Sequence, residues 1–90
     1  MRFQYDPRKS REVKRRHGVS LKEVQEVFDQ VYVINEKNEE PAQYRAIGWC
    51  RGRLCFVIFE VRHDGAGEYY HLITAWKSTR EEQQLYAENV

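Results

Sequence analysis

The sequence predicts an α+β fold: a small antiparallel sheet of about four strands, with two N-terminal helices and one C-terminal helix, in one domain over residues 1–90. Three stretches predict it. Arg53 to Lys77 reads as a long β-hairpin, with an apolar run Cys55 to Phe59 in its first arm and Tyr69 to Trp76 in its second. A continuous apolar run of that length fits a central strand covered on both faces. Ser20 and Glu23 stand at capping-box spacing before Leu21, Val24, Val27 and Phe28, which recur at helical spacing. Near the C-terminus, Ser78 with Glu81 and Thr79 with Glu82 form two overlapping boxes of the same kind.

Taken in order, Phe3 and Tyr5 alternate with Gln4 in a short strand-like opening. Asp6 is placed to cap a first helix and Pro7 to begin it, because proline's missing N–H costs nothing at the first helical position. That helix ends at Gly18, a residue suited to the left-handed C-cap. It is mostly polar, with Val13 as its only aliphatic residue, and should lie near the surface. The second helix carries a true apolar stripe and should pack on the sheet. Val31 to Ile34 is a β-branched run, followed by a polar stretch, Asn35 to Pro41, that reads as a loop. Ala42 to Cys50 reads as a strand, and Arg51-Gly52 as a two-residue turn that sets Cys50 opposite Arg53 and Cys55 opposite Gly48. Asp64-Gly65-Ala66-Gly67 supplies the reversal of the long hairpin. Leu85, Tyr86 and Ala87 are the apolar content of the last helix.

Charged residues make up 32% of the chain, and no apolar run approaches the roughly 20 residues of a membrane span. Met1 to Arg16 is charged throughout and lacks the apolar core of a secretion signal, so the expected location is cytoplasmic. Two cysteines, Cys50 and Cys55, make no secreted disulfide framework and read as reduced structural thiols; no further Cys or His stands at metal-ligand spacing. Net charge is +1, unevenly spread: residues 1–20 carry +5, 21–44 carry −4, 45–63 carry +3 and 64–90 carry −3. That pattern fits either solvated helix faces or one basic and one acidic side, the basic one able to take phosphate.

The ordered set Phe3 to Lys9, His17-Gly18-Val19-Ser20, Val27-Phe28-Asp29, Tyr44-Arg45 before Gly48, and Ile73 to Thr79 with Glu82 and Tyr86 resembles the BrnT toxins. Those are RelE-like ribonucleases of bacterial type II toxin-antitoxin modules. The resemblance implies a small antiparallel sheet with helices on one side. It also implies RNA cleavage without a metal ion or other cofactor, inhibition of translation, and neutralisation by a BrnA-like ribbon-helix-helix antitoxin. The assembly it implies is a heterotetramer or a homodimer that binds no membrane. The chain departs from the family pattern at Trp76, where the last strand usually ends in arginine, and at Val13, where asparagine is common. The same features also fit a toxin-fold binding module that acts through an antitoxin-like partner.

Metal-free RNA cleavage needs a base for the 2′-hydroxyl, a cation for the phosphate and an acid for the leaving oxygen. Histidine suits the proton transfers. His17, His71, Lys77 and Arg80 are the catalytic candidates; Arg45, Arg62 and Trp76 are the RNA-binding candidates. Arg45 and Arg62, if on adjacent strands of an open face, would form a cationic platform with Lys77 and Arg80. For His17 the competing role is capping the first helix, for Trp76 contact with a partner or helix, and for Glu60 an ion pair with Arg62. Val31, Tyr32, Val33 and Trp76 are the expected apolar surface for an antitoxin.

Overall fold

The first strand leads straight into a helix, and that short passage decides how the sheet is closed. In the computed structural model, which describes residues 1–39 and 42–90, β1 (Arg2–Gln4) precedes α1 (Pro7–His17). A 3₁₀ helix (Glu23–Asp29) follows. Then come β2 (Val33–Glu39), β3 (Ala42–Cys50), β4 (Arg53–Asp64), β5 (Gly67–Lys77) and α2 (Arg80–Asn89). The sheet has five strands in the order β1-β5-β4-β3-β2. Four are antiparallel, and β1 runs parallel to β5, Phe3 opposite Tyr70. The expected four-stranded antiparallel sheet is therefore a mixed sheet with one more strand. β1 is held there by Arg2, which binds both carboxylate oxygens of Asp64 at 2.8 and 3.0 Å and the Gly67 carbonyl at 2.9 Å. Phe3 adds its ring to Phe28, 5.2 Å between centroids, and to Tyr70, 6.0 Å.

α1 begins and ends as its caps dictate. Asp6 accepts from the Arg8 N–H at 2.8 Å, and Gly18, at φ 79°, donates to the Lys14 carbonyl. One function of this helix has no signal in its apolar content: the buried Ser10 hydroxyl accepts from the Leu21 and Lys22 N–H groups, at 3.0 and 3.4 Å, and so starts the next element. The Ser20 and Glu23 box forms in full, at 2.9 and 3.0 Å. Yet the element it opens is a 3₁₀ helix and not the expected α-helix. Leu21, Val24 and Val27 recur every third residue, which lines them up on a helix of 3.0 residues per turn. All three are fully buried. They lie so close to β3 that a Cβ at Gly48 would stand 2.9 Å from Val27 Cγ1 and 3.2 Å from its carbonyl oxygen.

Asn35 to Glu39 continues β2, where a loop was expected; it pairs with β3 through Glu39 opposite Ala42, across a bulge between Glu36 and Asn38. Glu40 and Pro41, the rest of that predicted loop, lie outside the described residues. The Arg51-Gly52 turn sets the predicted register, Cys50 opposite Arg53 and Gly48 opposite Cys55. Both turn residues have positive φ, 54° and 78°. Arg51 bears that strain among anchors: its N–H bonds Glu26 at 3.0 Å and its guanidinium lies 3.2 Å from Glu26 and 3.5 Å from Glu23. Both cysteines are buried free thiols.

The helices do not share one side of the sheet. α1 and the 3₁₀ helix cover one face, over a core of Val13, Val19, Leu21, Val24, Val27, Val57, Phe59 and Leu72. α2 packs Leu85 and Tyr86 on the other face, against Ile47, Phe56, Ile58 and Trp76. Of its two candidate caps the chain uses Thr79 with Glu82, at 3.2 and 2.7 Å. α2 is short, so it covers only the half of its face away from the β4–β5 turn.

Candidate functional site

The uncovered half of the α2 face carries polar side chains in rows set by strand register. Side chains two apart on a strand share a face, and those opposite one another lie side by side. One row crosses four strands: Gln43 on β3 opposes Glu60 on β4, Glu60 opposes His71 on β5, and His71 opposes Gln4 on β1. On the outer side lies Arg62, Tyr69 and Arg2; on the inner side, Arg45, Ile58 and Thr74. A bulge at Ile73 shifts β5 by one residue between Leu72 and Thr74. This lets the polar row and the apolar patch under α2 occupy one face while Leu72 and Ala75 both reach the opposite core.

Glu60 is the centre of the row. It is 9% exposed, and both its oxygens are engaged: Arg62 donates through Nε at 2.9 Å and Nη2 at 2.6 Å to Oε1, and Gln43 donates to Oε2 at 3.1 Å. These bonds, Gln43's first and then Arg62's, hold the carboxyl below its ordinary pKa against the opposing effect of burial. His71 Nδ1 lies 3.2 Å from Gln4 Oε1. Burial, and after it the Arg62 charge, push the His71 imidazole below its ordinary value, while Glu60 and Asp6 pull the other way. At neutral pH the row thus presents an ionised carboxylate, bonded to an arginine, beside a neutral imidazole.

The remaining sequence candidates divide among other places. Arg45 shares this face on the strand next to Arg62 and lines a cleft of about 400 Å³ under α2, where its Nε is buried with no hydrogen-bond partner among the described residues. Lys77 points to the opposite face, in line with Cys55 and Ala75, so the expected platform of Arg45, Arg62, Lys77 and Arg80 does not assemble. His17 joins Lys77 at the end of α1, around an open hollow shared with Arg16 and Trp76. A Cβ at Gly18 would stand 3.1 Å from Lys77 Cε. Arg80 begins α2 and is exposed. Trp76 stacks on Phe56, 4.7 Å and 14° apart, and donates to Glu82 at 3.2 and 3.3 Å, the carboxylate that also caps α2. Its ring is thereby used to fasten the helix. Of the residues not singled out as candidates, Gln43 and Gln4 complete the row. Among the described residues no group of three or more His, Cys, Asp and Glu is placed to hold a metal ion.

Residues 5–82 match a protein family described as ribonuclease toxin, BrnT, of type II toxin-antitoxin system. The chain belongs to the BrnT family. A search of curated proteins finds no match. The family makes it a ribonuclease toxin of a type II system, and an antitoxin partner comes with that class. The BrnT match ends at Glu82, the residue that holds Trp76 and caps α2, and begins one residue after Gln4. No helix among the described residues is long and apolar enough to cross a membrane.

Proposed function

We propose that this BrnT chain cuts RNA without a metal ion on the open half of its α2 face, and stops translation by doing so. The carrying observation is the row itself: His71 opposite a Glu60 that is locked to Arg62. His71, neutral at physiological pH, takes the proton of a ribose 2′-hydroxyl. The 2′-oxygen bonds to the phosphorus and the bond to the 5′-oxygen breaks, leaving a cyclic phosphate. Arg62 and Arg45 carry the charge that builds on the phosphate. Glu60 is an orienting anion: with both oxygens occupied, it aims Arg62 and favours the imidazolium as it forms. The leaving oxygen draws its proton from solvent on the exposed side. His17, Lys77 and Arg80 lie outside this constellation.

The partner is a BrnA-like ribbon-helix-helix antitoxin, in a heterotetramer or on a toxin homodimer, and the setting is the cytoplasm. Val31, 65% exposed, and the half-exposed Trp49 offer apolar surface for such a partner. Purified protein should cleave RNA in chelator, and H71A and R62A should each lose activity by about 100-fold or more. Growth should arrest on induction and recover when the neighbouring antitoxin gene is expressed. RNA left intact from pH 5 to 9 would sink the nuclease reading. It would favour a second reading, a non-cutting module that acts through its antitoxin. Trp76 favours that reading: the position where arginine is usual is given to packing α2.

A further inference from the structure

We propose that Gln4 is a positioning residue that holds His71 in the Nδ1–H tautomer and leaves Nε2 as the proton-accepting atom. This rests on the reading of His71 as the base. The Gln4 side-chain amide lies against His71 with Oε1 3.2 Å from Nδ1; in that orientation the hydrogen sits on Nδ1, because an amide oxygen only accepts hydrogen bonds. The other ring nitrogen then carries the lone pair. Among the described residues Glu60 makes no hydrogen bond to the ring: its recorded donors are Arg62 on Oε1 and Gln43 on Oε2. Among the described residues no hydrogen-bond partner stands at Nε2, and that nitrogen is free for substrate.

The placement is built into the backbone. Gln4 reaches His71 only because β1 pairs in parallel with β5 at that register, and Arg2 pins the strand through Asp64 and Gly67. The charged groups that face His71 are Glu60 and Arg62 from β4 and Asp6 from the β1–α1 junction. A neutral amide fixes the tautomer without adding charge. A carboxylate in its place would also fix it, but would favour the protonated ring.

Long-range proton–nitrogen NMR correlations of the imidazole in the full chain read the tautomer without reference to activity. The wild type should show the neutral ring as Nδ1–H. Gln4→Leu should give a mixture of tautomers and lower kcat by about tenfold with KM unchanged. Gln4→Glu should keep Nδ1–H, restore most of kcat, and move the acid limb of the pH profile up by about one unit. Arg2 remains in both variants to hold β1, and unchanged amide spectra for Phe3 and Tyr70 verify the pairing. A wild-type ring found as Nε2–H, or a Gln4→Leu ring with the wild-type tautomer, overturns the proposal. Undiminished cleavage by H71A overturns His71 as base, while the tautomer measurement still decides whether Gln4 sets the ring.

Discussion

The two faces of one sheet are built to different standards. The face under α1 and the 3₁₀ helix is apolar through its centre, with Val24, Val27, Val57 and Phe59 at 1% exposure or less. The face under α2 is apolar only where the helix lies, and then gives way to Glu60, Arg62 and His71. Glu60 is nearly as buried as the edge of the core, and such a group is tolerated only when its hydrogen bonds are satisfied. The contrast separates stability from function: one face holds the strands in register, and the other uses that register to line up charged groups.

Substitutions should break or sharpen that contrast, and the largest effect belongs to the closed face. Phe59 is 1% exposed and touches Phe28, Tyr44 and Tyr70, with centroids 4.6 to 5.7 Å away. Phe59→Ala should cost about 3–5 kcal/mol in urea unfolding. Gly48→Val should follow, because its side chain would enter the 2.9 Å gap to Val27; about 2–3 kcal/mol is expected, with the 3₁₀ helix losing amide protection first. Either variant proving neutral would contradict the tight seat of that helix on β3.

Acid should act next, again on the closed face. Glu23 is held at about 2, chiefly by the Lys14 hydrogen bond and then by the Ser20 N–H. A depressed carboxyl stabilises the fold above its unfolded value of about 4.5, and that contribution drains as pH falls toward 2. Screening by solvent should reduce it to about 1–2 kcal/mol. Glu23→Gln should flatten that part of the stability profile. On the α2 face, Trp76→Phe keeps the stack on Phe56 and loses the bond to Glu82, for about 1 kcal/mol and a frayed helix start by amide exchange. His71→Ala should change stability by less than about 0.5 kcal/mol, since the ring is only partly covered, while lowering the proposed cleavage by about 100-fold or more. A large loss of stability there would mean the row is structural.

How much of this could be read from residues alone depends on which were local. The caps at Asp6, Gly18, Ser20 and Thr79 act within a few residues, and each forms as its spacing predicts. The turn at Arg51-Gly52 sets register in the same short-range way. The parallel pairing of β1 is a contact across more than 60 residues and has no local signature. The 3₁₀ helix was half visible: a period of three is written in Leu21, Val24 and Val27, yet only the close seat at Gly48 makes it preferable to an α-helix. For the site, Glu60 and His71 stood out as chemistry-bearing types, but their adjacency did not. It could have been found by pairing outward from Asp64 and Gly67, which brings Glu60 to His71 in four steps. The bulge at Ile73 lies beyond that point and is invisible to such counting, which is why Trp76 and Lys77 could not be assigned their faces.

The position of β1 has a bearing on synthesis. Its partner on the sheet, β5, is made after β2, β3 and β4, so Gln4 waits for all three before His71 exists to meet it. A chain made only as far as β4 therefore has no assembled row, and β1 has no strand to pair with until β5 follows.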